Sequence, residues 1–264
     1  MTVPSVFTTP DLSQPSYKSG YASTQGESVN PSLWPDGAWM PSLGNSGLGV
    51  RDASGNGNHG DFVTLDMTNW SGSRKGLSIL NGGNLDYLDI PGVTASAQKT
   101  LSIWLNLLVA SSTWTTLWEF GSDSPWLGVN ASQIFHTYPV TATSNAVTLN
   151  EWMHVAFATR TGFSQWYING KASGSSSATA LTAAGVGLGI CRRISDTAMA
   201  AYWTDCLYYE RCLSPGEIKT LYKDSKVPFR RRNKTISYTS APSTVSPIQM
   251  LTINNQIENS ILQR

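Results

Sequence analysis

The feature that most constrains this chain is a rhythm. From Leu33 to about Tyr222, short apolar stretches alternate with turns of Gly, Asn and Ser. Segments 101–109 (LSIWLNLLV), 153–159 (MHVAFAT), 164–169 (SQWYIN), 185–190 (GVGLGI) and 204–209 (TDCLYY) read as strands. Residues 161–163 turn the second of these into the third. Asn169-Gly170 makes the next turn, since both residues tolerate positive φ. Many strands at short spacing predict an all-β chain, an antiparallel β-sandwich jelly roll. One segment departs from the rhythm. In residues 213–224, Ser214 stands as N-cap, Pro215 at the first helical position and Glu217 at the third, a capping box. Leu213 and Ile218 flank the cap as a hydrophobic staple, and Ile218, Leu221 and Tyr222 form the apolar stripe of a short C-terminal helix.

Composition narrows the classes further. The 264 residues fit one sandwich domain with extended ends. Charged residues are 13% of the chain and the formal net charge is +1, which argues against a nucleic-acid binder and against charge-rich disorder. Cys191, Cys206 and Cys212 are too few for a disulfide framework and badly spaced for zinc, so free buried thiols are expected. Neither a secretion signal nor an apolar run long enough for a membrane span is expected. The sequons at Asn69, Asn130 and Asn233 are accordingly read as chance.

The ends differ from the middle. Residues 1–32 are rich in Ser, Thr, Pro and Gln and read as an arm, 33–226 as the sandwich, and 227–264 as a basic linker and docking tail. Residues 217–234 hold seven Lys or Arg against two acidic residues. This stretch is either a solvated linker or a dock onto an acidic partner surface or a nucleic acid. Arg230, Arg231 and Arg232 are its centre, and Ile253, Ile257 and Ile261 recur every four residues as a short amphipathic face that would need a partner.

Five segments in order, DASGNGNHG (52–60), NLDYLDIPG (84–92), LSIWLNL (101–107), EWMHVAFATRTGFSQWYINGK (151–171) and YERCLSPGEIKTLY (209–222), resemble a laminin-G-like, concanavalin A-like jelly-roll domain. The likeness covers roughly residues 33–232. The start (LWPDGAWMPSLGNSG) and the PFRRR after the helix look like a branch common in bacteriophage and marine microbial genomes. The resemblance implies a carbohydrate-binding, adhesive or virion-surface part where no enzyme module is attached, and often a structural calcium ion. It also implies an Asp-Glu pair before the late strand, where this chain has Thr204 and Asp205.

Individual residues carry the candidate chemistry. Asp52, Ser54, Asn56 and Asn58 place oxygens at alternate positions of a Gly-rich loop. Such a loop can wrap Ca²⁺, with Asp52, Asn56 and Asn58 as ligands, or can be a run of Asx turns that satisfy backbone N–H groups. Trp104, Trp152 and Trp166 fall at family strand positions and are expected in the core, whereas Trp34 and Trp39 are expected to anchor the arm. Trp114, Trp118 and Trp126 lie outside the matched segments and are candidates to stack on a sugar, with Asp123 and Asn130 bonding its hydroxyls; packing of loops onto the sheet is the alternative. Catalysis lacks a local motif. Asp86 and Asp89 would point to opposite faces, Glu119 and Glu151 stand alone in their segments, and no Ser elbow or phosphate loop occurs.

The expectation is therefore a non-enzymatic surface protein of a phage particle, a capsid decoration or fibre-associated part. Its ends would bind other virion proteins and sister copies as a homo-oligomer, and its fold would bind glycans weakly. A glycan-binding adhesion module at a cell surface is the alternative, and a divergent glycosidase the third.

Overall fold

The computed structural model describes residue 21 and residues 25–43, 48–73, 76–81, 86–109, 115–121, 126–181, 186–191 and 199–230. Sixteen strands follow in chain order: β1 Gly37–Trp39, β2 Gly49–Val50, β3 Gly60–Val63, β4 Trp70–Ser73, β5 Gly76–Asn81, β6 Tyr87–Thr94, β7 Lys99–Leu107, β8 Thr115–Phe120, β9 Trp126–Val129, β10 Ile134–Tyr138, β11 Thr143–Ala146, β12 Trp152–Arg160, β13 Phe163–Ile168, β14 Lys171–Ser177, β15 Val186–Ile190 and β16 Ala201–Tyr209. The described pairings are antiparallel. The first sheet runs β14-β13-β12-β7-β16, with β1 and the β5-β4 pair sharing the far edge of β16. The second runs β2-β3-β6-β15-β8-β9-β10-β11, and β11 meets β14 at Thr143 and Ser175. This is the predicted jelly-roll sandwich, with one α-helix among the described residues, α1 Pro215–Lys223.

Alternation along the strands builds the core. Leu101, Ile103, Leu105 and Leu107 of β7 face Trp118, Phe120, Leu127, Phe135, Leu188 and Ile190 of the second sheet. Trp166 is fully buried among them, with ring centroids 5.0 Å from Phe157, 5.2 Å from Phe135 and 6.3 Å from Trp118. Trp39 belongs to this core rather than to an arm anchor, whereas Trp34 packs on Phe229 at 5.1 Å. Cys191 and Cys206 are free thiols in the core, as expected, and burial pushes the Cys206 thiol up to about 12.

The first sheet is buried on its other face too. Ala156, Ala158, Tyr167, Leu207 and Tyr209 point outward and are covered by Ile218 and Leu221 of α1 together with Leu33 and Phe229. Helix α1 begins as its sequence dictates. Ser214 Oγ accepts from the Glu217 N–H at 3.3 Å, and a Glu217 carboxylate oxygen accepts from the Ser214 N–H at 2.8 Å. Beyond the helix, Val227–Phe229 form a 3₁₀ turn, and the backbones of Tyr21 and Arg230 pair. The described residues after 226 thus pack on the sandwich as far as Arg230. Residues 25–32, read as arm, pack against it: Ser28 is buried and the Val29 N–H donates to the Arg230 carbonyl at 2.8 Å.

One irregularity resets the pattern of β16. Its register with β7 shifts between Thr204 and Leu207, and Asp205 takes φ +51°. The bulge lets Trp203, Cys206 and Tyr208 all enter the core while Leu207 and Tyr209 face α1. The buried Asp205 carboxylate accepts from the hydroxyls of Ser42 (2.5 Å), Ser225 (2.7 Å) and Thr204 (3.1 Å), and the first two tie two other segments to the bulge.

Candidate functional site

With the outer face of the first sheet filled by α1, the outer face of the second sheet is where a ligand can approach. Strand β10 shows how it is built. Phe135 and Thr137 turn inward and are buried, so Ile134, His136 and Tyr138 turn outward. Tyr138 is 54% exposed. Together with Pro139, Val140, Thr141 and Thr143, His136 and Tyr138 line a shallow cavity of about 580 Å³. An aromatic ring, an imidazole and threonine hydroxyls at one mouth form the mixed apolar and polar lining that a sugar needs.

The imidazole is held in a fixed state. The Ile134 N–H donates to Asn130 Oδ1 at 3.1 Å, which leaves the Asn130 Nδ2–H group to face His136 Nε2 at 3.2 Å. Partial burial lowers the His136 pKa below the usual imidazole value.

Strand register extends the face across the sheet. Tyr138 pairs with position 126, which pairs with Glu119; Glu119 pairs with Gly189, Gly189 with Asp89, and Asp89 with Asp61. Glu119 and Asp89 thus flank a glycine on one row, their backbones two strand spacings or about 10 Å apart. Glu119 is 2% exposed, while Asp61 is exposed.

Several expected site residues stand elsewhere. Trp118 is fully buried against Trp166 in the core, because β8 turns Trp118 and Phe120 inward; it cannot stack on a sugar from solvent. Both ends of the Asn130 amide make contacts within the β9–β10 turn, its oxygen with the Ile134 N–H and its nitrogen with His136 Nε2. Trp126 begins β9, but its side chain lies outside the described residues, as do Trp114 and Asp123. Arg230 forms an ion pair with Asp224. Arg231, Arg232, Ile253, Ile257 and Ile261 lie outside the described residues. His136, Tyr138, Thr141 and Thr143 were missed by sequence reasoning, although the alternation in IFHTY (134–138) was there to be read.

The Gly-rich loop does not fit a calcium ion. Asp52 Oδ1 accepts from the Ala38 N–H (3.0 Å) and the Ser54 N–H (2.9 Å), and Oδ2 from the Asn58 N–H (3.1 Å). The Asn56 amide donates to the Asp36 carbonyl at 2.7 Å, and Asn58 lies against Gly92. The carboxylate is spent on backbone donors, the Asx-turn arrangement. Among the described residues no group of three or more His, Cys, Asp or Glu could hold a metal. The sequon asparagine Asn69 is also committed, its amide donating to the Leu80 carbonyl at 2.8 Å.

A two-sheet jelly roll whose first sheet is covered by α1 and whose strand β10 turns an exposed Tyr138 outward defines a lectin-like class of protein. Residues 81–219, just over half of the chain, match the family described as the concanavalin A-like lectin/glucanases superfamily, and the chain belongs to it. No curated protein matches in sequence. Among solved structures, the chain is similar to Trypanosoma rangeli sialidase in complex with sialic acid (16% identity, TM-score 0.56), over 73% of this chain and 33% of the sialidase. It is similar to domain 4 of an extracellular arabinanase from Geobacillus stearothermophilus in complex with arabinotriose (17% identity, TM-score 0.57, 71% of this chain and 98% of that one). It is also similar to the binding domain of Paraclostridial Mosquitocidal Protein 1 (14% identity, TM-score 0.55, 71% and 52%). The chain spans about a third of the sialidase length. Among the described residues no helix is long and apolar enough to cross a membrane.

Proposed function

We propose that this chain is a non-catalytic carbohydrate-binding protein whose sugar-facing surface is the cavity of His136, Tyr138, Thr141 and Thr143 on the second sheet. The observation that carries the reading is Tyr138, an aromatic ring more than half exposed beside a cavity that His136, Thr141 and Thr143 also line. The ring offers an apolar face to a sugar's C–H groups, and the threonines and imidazole offer hydrogen bonds. The arabinotriose-bound arabinanase domain, of the same fold, supports a lectin-like use. A glycan array followed by calorimetry on the strongest ligand tests it. Tyr138→Ala is expected to weaken binding at least tenfold. Absence of any glycan binding, or undiminished binding by Tyr138→Ala, overturns it.

The setting we propose is the surface of a phage particle, in the company of other virion proteins and sister copies. It is supported by the bridge between Tyr21 and Arg230, which brings these two residues together on one part of the domain. Finding the protein in purified particles would bear it out; a cell-surface location without particles would favour the adhesion module. The row bearing Glu119 and Asp89 favours a second reading, glycoside hydrolysis, for which two carboxyls about 5–9.5 Å apart are needed. Turnover of a polysaccharide panel, lost in Asp89→Asn, would establish that reading in place of the first.

A further inference from the structure

We propose that ligand binding at the cavity is switched off by acid, because Asn130 is locked as a donor to the His136 ring that forms the cavity wall. The proposal rests on the reading of this cavity as the glycan site. The lock follows from hydrogen-bond polarity. A backbone N–H can only donate, so the Ile134 N–H, 3.1 Å from the Asn130 side-chain oxygen, fixes which end of the amide is which. The other end is an NH₂ group, which cannot accept. Its partner at 3.2 Å, His136 Nε2, must therefore be the bare nitrogen of a neutral ring whose proton is on Nδ1.

Protonation places a second N–H on Nε2, donor against donor. Asn130 cannot answer by rotating its amide, since that would take the acceptor from the Ile134 N–H. The turn around it is also set. The Asn130 N–H donates to the Ile134 carbonyl at 3.2 Å, the Gln133 N–H to the Asn130 carbonyl at 2.9 Å, and Gln133 holds φ +61°. The Asn130–His136 contact is lost on protonation, and the ring it positions is part of the cavity wall. Gly128 on one neighbouring strand and Thr143 on the other pair with His136, and neither is titratable. On its own strand the phenol of Tyr138 shares the outward face with His136. The described carboxylate nearest in strand order on this face is Glu119, on β8, one strand beyond β9. The residues lining the cavity include no lysine or arginine. Partial burial acts in the same direction as the lock and holds the ring neutral.

The experiment uses the full chain with ¹⁵N-labelled histidine and, as probe, the strongest-binding glycan of the array, over about pH 5 to 8. The expected ring spectrum of His136 shows Nδ1 protonated and Nε2 bare at neutral pH. Affinity is expected to fall about tenfold per pH unit once His136 protonates, the limit for one linked proton. In His136→Gln, which still offers Asn130 an acceptor, the acid limb disappears whatever the affinity at pH 7. In Asn130→Asp, whose carboxylate accepts from Nε2–H, protonation no longer sets donor against donor, and the acid limb is expected to disappear. A flat wild-type profile, an Nε2–H tautomer, or an acid limb that persists in His136→Gln overturns the switch while leaving glycan binding in place. No glycan binding at any pH overturns both.

Discussion

Lys99 is a buried cation whose charge can be titrated. The residue is fully buried. Its Nζ donates to the carbonyls of Ser96 at 2.5 Å and Leu181 at 3.1 Å and lies 5.3 Å from the Phe120 ring centroid. Burial pushes its pKa down to about 8 from 10.5. Between these values the unfolded chain binds a proton that the native protein does not, so this group's contribution to stability rises with pH. Integrating one group with these two pKa values gives a gain of about 1.4 kcal/mol between pH 7 and pH 9. The buried thiols act the other way. Cys206 and Cys191 keep their protons natively above pH 9 while the unfolded chain loses them, so total stability turns downward there. Lys99→Met separates the two. The variant keeps the thiols and lacks the amine, so the wild-type stability minus the variant stability should increase by about 1.4 kcal/mol from pH 7 to pH 9. Urea unfolding followed by tryptophan fluorescence, under reducing conditions, reads this difference. A difference that stays constant across the interval would refute the assignment of a depressed amine.

Two further outcomes are expected. Trp166→Ala removes the ring that meets Phe135, Phe157 and Trp118, and should lower unfolding free energy by about 3–5 kcal/mol in the same urea assay. Asp52→Ala strips three backbone N–H groups of their acceptor and should lower Tm by the same amount in EDTA as in millimolar calcium, measured by calorimetry. A loss confined to the calcium sample would restore the metal reading.

What could be read from sequence was what the chain settles locally. The Asn169-Gly170 turn takes φ +50° and +73°, the left-handed values its two residues were chosen for. The capping box at Ser214 and Glu217 needs only four consecutive residues. Strand positions in 101–107 and 153–159 followed from apolar length and branching. The bulge at Asp205 was not legible, since it depends on Ser42 and Ser225 arriving from other segments to satisfy one carboxylate. Nor was the row joining Glu119 to Asp89 through Gly189. These residues lie 30 and 100 positions apart from Asp89 along the chain, and only strand order makes them neighbours.

The choice of functional face was nevertheless present in the residues, in a form that counting tryptophans did not reach. A strand whose two parities are both apolar must be covered on both sides. In β12, Met153, Val155 and Phe157 enter the core while Ala156 and Ala158 face outward, and α1 supplies the cover. A strand with one apolar and one polar parity needs no second layer. In β10, Phe135 enters the core, and His136 and Tyr138 occupy the other parity. Trp118 misled because a large aromatic in a polar stretch suggests a binding platform, yet its spacing of two from Phe120 assigns both to the inward parity. Parity within β10, rather than aromatic content, marks its outward side as the exposed one, whereas β8 of the same sheet is buried on both parities. It places the candidate site on the outward parity of β10.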